Sequence, residues 1–129
     1  MNYSGVIIEE SLEKKDVLND VKILSTKVEE VTEDHKTPWI NKWTLHTVEI
    51  PEKQMEKTAK KISKSLDSKH FWYADFKNDS FHYIIFRDKF FKVDRSKKDS
   101  YDEVLKFGLS LGIPDYQLDF SPHTKEWER

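Results

Sequence analysis

Between Trp72 and Arg95 the chain runs WYADFKNDSFHYIIFRDKFFKVDR, three short aromatic and β-branched runs separated by Asn78-Asp79-Ser80 and Asp88-Lys89. Rings and branched side chains suit a pleated, half-buried surface, and Asn, Asp and Ser are turn formers, so the pattern predicts a three-strand antiparallel meander. Its strands are expected at Trp72 to Lys77, Phe81 to Arg87 and Phe90 to Asp94. A sheet with this many rings needs a second layer, which restricts the fold to architectures that cover it.

Turn length sets the register. A three-residue first loop places Lys77 opposite Phe81 and Phe76 opposite His82, and a two-residue second loop places Arg87 opposite Phe90. One face then gathers Trp72, Ala74, Phe76, His82, Ile84, Phe86, Phe91 and Val93. The other gathers Tyr73, Asp75, Lys77, Phe81, Tyr83, Ile85, Arg87, Phe90, Lys92 and Asp94, a mixture of rings and charges. A two-residue first loop would instead put Trp72, Ala74 and Phe76 on the face opposite Phe91 and Val93 and split the apolar set, because a one-residue slip flips every side chain. The three-residue loop is therefore the expectation.

The rest of the chain supplies the covering elements. Gly5 to Glu10 reads as a strand, and Ser11 to Asp20 as a charged stretch that is either a short helix or a loop. Val21 to Val31 reads as a long strand whose apolar positions change phase between Ser25 and Val28, which predicts a bulge. A polar loop containing His35 and Trp39 leads to a strand from Trp43 to Ile50. Pro51 then opens a helix, where its missing N–H costs nothing, and Met55, Ala59, Ile62 and Leu66 trace the apolar stripe. A second amphipathic helix is expected after Asp99 or Ser100, with Glu103 completing a capping box, Gly112 ending it and Pro114 preventing continuation. Tyr116, Leu118 and Phe120 alternate as a short edge strand would, and a loose tail begins at about residue 121.

These readings make an α+β fold in β-β-β-α-β-β-β-α order: a mostly antiparallel sheet of about six strands with two amphipathic helices on one face. Residues 1–129 are read as a single domain, because three glycines and no Gly/Ser-rich tract leave no flexible joint. The absence of cysteine excludes disulfides, thiolate metal sites and a cysteine nucleophile. No leader pattern or membrane-length apolar run is present, so the expectation is a cytoplasmic protein with no membrane partner.

Charge is segregated although the net is −2. Residues 1–34 hold nine acids and four bases, residues 35–98 eight and fifteen, and residues 99–129 seven and three, giving −5, +7 and −4. The acidic ends either fold over the basic middle or leave it facing an anion.

Motif-based chemistry is sparse. Glycine at positions 5, 108 and 112 alone excludes a P-loop and a dinucleotide-binding turn. Five histidines show neither HExxH nor helical pairing, so no metal and no cofactor is expected, and Ser11 to Lys14 fits SxxK by spacing only and reads as a solvated charged stretch. The mixed sheet face is the main candidate for ligand binding: Tyr73, Phe81, Tyr83 and Phe90 with Arg87 and Lys92, together with Trp39 on its loop and His46 and His82 on strands. Rings with interleaved cations can stack a flat ligand and hold its acidic group.

Three functions follow. The first is a non-catalytic module binding a small molecule or protein through the aromatic face. The second is a weak binder of single-stranded nucleic acid or another anion through the basic middle. The third is a small enzyme whose site requires His46 and His82 to converge. A homodimer through the aromatic face would also cover it.

Overall fold

The computed structural model describes residues 2–32, 40–69, 72–97 and 101–113. Trp39, His35, Asp99, Ser100 and the expected tail strand at residues 116–120 lie outside them. The strands are β1 (Tyr3–Ile8), β2 (Lys22–Glu30), β3 (Lys42–Ile50), β4 (Tyr73–Lys77), β5 (Phe81–Phe86) and β6 (Lys89–Asp94), and the helices are α1 (Met55–Ser65) and α2 (Asp102–Ser110). They form one six-stranded sheet in the order β2-β3-β1-β4-β5-β6, with every neighbouring pair antiparallel. The α+β class and element order are those expected from the sequence.

The meander register differs. Lys77 pairs with His82 and Phe76 with Tyr83, which brings Asn78 opposite Phe81 and leaves a two-residue loop, Asp79-Ser80, in place of the expected three. Asn78 causes this: its Oδ1 accepts hydrogen bonds from the N–H groups of Ser80 and Phe81, while its own N–H donates to the Phe81 carbonyl. A side chain that imitates a backbone turn tightens the loop by one residue, and β4 is turned over relative to β5. In the second turn Asp88 adopts φ 61, so Arg87 and Asp88 form the loop and Phe86 opposes Lys89. That shift is two residues, which leaves β5 and β6 on their expected faces.

The apolar set is thereby divided between both faces, and each face has a helix. On one, Trp72, Ala74, Phe76, Tyr83 and Ile85 pack with Tyr3, Ile7, Val48 and Ile50 beneath Met55, Ala59, Ile62 and Leu66 of the α1 segment. On the other, Ile84, Phe86 and Val93 pack with Tyr101, Val104 and Ile113 of the α2 segment. The helices thus cover opposite faces, because the turned-over β4 leaves apolar residues to bury on both sides.

Local expectations near α1 and β2 are met with small changes. A 3-10 turn at Glu52–Gln54 separates Pro51 from α1, and the four stripe residues are at most 1% exposed. β2 has its bulge between Ile23 and Ser25, which brings Ile23 and Val28 to the same face, opposite Val48 and Thr44. A 3-10 turn at Glu9–Ser11 leads into the stretch from Ser11 to Asp20, which forms a second at Lys15–Asn19. Ser11 and Leu12 are buried rather than solvated, since the Ser11 Oγ donates to the Ile8 carbonyl and Leu12 bridges to Leu66 at the end of α1. α2 begins after Tyr101 with no side-chain cap and ends at Gly112, φ 88, whose N–H donates to Leu109 while that of Ile113 donates to Gly108. This paired closure needs the left-handed residue that glycine supplies. Among the described residues, no helix is long and apolar enough to cross a membrane.

Candidate functional site

The turned-over strand redistributes the candidate residues. Phe81, Tyr83, Phe90 and Lys92 remain on one face, the α1 side, because β5 and β6 keep their relative parity, while Arg87 lies in the turn between them. Tyr73 moves to the α2 side, where it lies 6.2 Å from the Phe86 ring. His46 is on the α1 side through its pairing with Ile7, and His82 is on the α2 side against Tyr101. The two histidines therefore do not converge, and a shared His46/His82 catalytic cleft is ruled out.

Each histidine is wired in the same order. His82, fully buried, has Nε2 2.8 Å from Asp75 Oδ2 and Nδ1 3.1 Å from the Tyr101 hydroxyl. Nε2–H donating to the carboxylate and Tyr101 donating to Nδ1 satisfies all three groups. Burial pushes the His82 pKa below the ordinary imidazole value, against the pull of Asp75 and with help from Lys77 and Arg95. Burial likewise raises the Tyr101 hydroxyl.

His46, 7% exposed, has Nε2 3.0 Å from Glu9 Oε1 and Nδ1 2.9 Å from Thr26 Oγ1. The hydrogen bond from His46 is the main reason that Glu9 titrates below the ordinary carboxylate value, and Lys15 adds to it. Next to it Glu10 accepts from the N–H and hydroxyl of Thr44 at 2.6 and 2.8 Å. Thr26 sits in mid-strand, paired with His46 itself, so the hydroxyl–imidazole–carboxylate chain ties the Glu9 turn to β3 and β2. Among the described residues no group of three His, Cys, Asp or Glu side chains is arranged to hold a metal ion.

The aromatic candidates form a smaller shelf. Tyr83 is buried with its ring edge-on to Tyr3 at 5.2 Å and stacked with Phe90 at 6.1 Å and 28°. Lys92 Nζ stands 4.3 Å from the centroid of half-buried Phe81 and 5.9 Å from that of Tyr83. Arg87 points elsewhere: its guanidinium donates to the Leu66 carbonyl and lies 3.8 Å from Glu13 and from Asp88.

Asp75, Tyr101, Glu9 and Thr26 were not among the residues singled out by sequence. Asp75 carried a signal, a carboxylate between the apolar Ala74 and Phe76 of a strand. Glu9 and Thr26 carried none, since Thr26 meets His46 through strand pairing and Glu9 reaches it from the turn after β1. No family model, no curated protein and no solved structure matches this chain.

Proposed function

We propose that this domain is a non-catalytic binding module whose site is the shelf of Phe81, Phe90 and Lys92 over the buried Tyr83 ring, and that it takes a flat ring carrying an acidic group. The observation that carries this reading is the position of Lys92 Nζ, 4.3 Å from the Phe81 centroid, which keeps an exposed cation beside half-buried rings. A cation over a ring face is favourable by itself, and an anion brought to it adds a charge-assisted contact while its ring stacks on the aromatic edge. Asp94, paired opposite Phe81, is tied to the N–H and hydroxyl of Ser96, which draws its negative charge into a local turn.

Adenosine monophosphate is a suitable probe because it joins a flat ring to an anion. In amide NMR titrations it is expected to shift Phe81, Tyr83, Phe90 and Lys92 together. Phe81→Ala should weaken binding about tenfold or more, since a stacked ring is worth about 1–3 kcal/mol. Lys92→Gln should weaken it and remove most of its salt dependence. Shifts scattered over the surface, or none at millimolar probe, exclude this site. Tighter binding of a ten-residue oligothymidylate with a steep salt slope would replace it with the nucleic-acid reading.

A further inference from the structure

β2 forms one end of the sheet, and among the described residues no strand pairs with its outer edge. It is nine residues long and exposed over nearly its whole length, including Ile23, Leu24 and Val28 at 41, 51 and 60%. A long edge with apolar side chains is a template for another strand unless something blunts it. The bulge between Ile23 and Ser25 is at one end only, Ser25 to Glu30 pair with β3 without interruption, and what guards that regular stretch is the charge of Lys27, Glu29 and Glu30.

The charge order of that regular segment selects a partner. It reads Ser25-Thr26-Lys27-Val28-Glu29-Glu30. Two copies placed antiparallel about a two-fold axis at Val28 set Val28 against Val28, Lys27 against Glu29 twice, and Thr26 against Glu30 twice. Moving the axis to residue 27 opposes two lysines, and moving it to residue 29 opposes two glutamates, arrangements that cross-strand pairing penalises. An axis at Thr26 aligns Leu24 with Val28 but carries the bulge into the new pairing. We propose that the chain forms a symmetric homodimer by β2-to-β2 pairing centred on Val28, joining two sheets into one of twelve strands. Lys27 and Glu29 are 3.6 Å apart within a single strand, and in the dimer each gains the opposite charge across the axis.

The chain has no cysteine, so one introduced thiol reports on one position. Opposed residues in an antiparallel pair have Cα atoms about 4.5–5.5 Å apart, within disulfide range. Val28→Cys is therefore expected to give an oxidised covalent dimer of the full chain, and Thr26→Cys to give little. Sedimentation equilibrium of the unmodified chain should show a dimer. Lys27→Glu should raise its dissociation constant about tenfold at low salt, and the Lys27→Glu/Glu29→Lys double variant should return it to within about threefold of the starting value. A monomer at all concentrations overturns the dimer. A dimer cross-linked by Thr26→Cys but not by Val28→Cys overturns the register, and a dimer indifferent to both charge variants overturns β2 as its interface.

Discussion

His82 and Asp75 meet diagonally across β5 and β4, Nε2 to Oδ2 at 2.8 Å, with both side chains inside the face that α2 covers. The two-residue loop closed by Asn78 and Phe81 makes this contact, since a three-residue loop would turn the Asp75 carboxylate to the other side. Asp75→Ala should cost about 1–3 kcal/mol, because it strands a buried imidazole N–H without its acceptor. Asp75→Asn, whose amide oxygen still accepts, should cost less. Urea unfolding of the two variants checks the order.

The same pair sets a pH response. His82 titrates lower in the folded chain than in the unfolded one, so the unfolded state binds the proton more readily. Stability is then unaffected well above the ordinary imidazole pKa of about 6.5, and it declines as pH falls below that value. Urea midpoints measured between pH 7.5 and 5 should fall, and His82→Gln should flatten that part of the profile. Glu9, lowered by its hydrogen bond from His46, acts in a separate and more acidic window. Its contribution is present above the ordinary carboxylate value and is lost as pH falls through the folded one.

Ile62 tests the α1 layer. It is fully buried and belongs to the cluster of Tyr3, Phe76 and Tyr83, so Ile62→Ala should destabilise by about 2–5 kcal/mol. Thr58, also on the buried side of α1 but smaller, should tolerate Thr58→Ala or Thr58→Val with less loss. Thermal unfolding of the three variants orders them.

What the sequence made legible was whatever repeats at short range. The Met55, Ala59, Ile62, Leu66 stripe, the change of phase in β2 and the glycine stop at Gly112 all depend on spacing within one element. The faces of β4 depended instead on Asn78, one side chain that makes two hydrogen bonds to the backbone of its own loop. Residue types there suit loops of two and of three residues, yet the choice moves Tyr73 away from Tyr83 and brings Asp75 to His82. The two histidine networks were hidden for a related reason. Glu9, Thr26 and His46 come from three segments, and strand order brings them together. The candidate shelf survived in part because Phe81, Tyr83, Phe90 and Lys92 all lie on β5 and β6, whose mutual parity was insensitive to the two-residue shift at Asp88.

The seam between the two halves of the sheet depends on one residue without a side chain. β1 and β4 pair through Ser4, Gly5 and Val6 alone, and a Cβ on Gly5 would stand 2.1 Å from the Asp75 carbonyl oxygen and 2.7 Å from the Phe76 ring. The nearer obstacle is backbone, so it cannot swing aside, and β1 must separate from β4 to admit even a methyl group. Gly5→Ala should therefore cost about 1–3 kcal/mol or more, whereas Ser4→Ala, at an exposed neighbouring position, should stay within about 0.5 kcal/mol. Displacing the Asp75 backbone also draws its carboxylate away from His82. In whatever fraction of Gly5→Ala remains folded, hydrogen exchange should quicken at the β1–β4 seam. The His82 imidazole, followed by NMR, should titrate differently from that of the unsubstituted chain. A clash confined to Gly5 would give the first change without the second, so the pair of measurements separates local crowding from loss of the Asp75 contact.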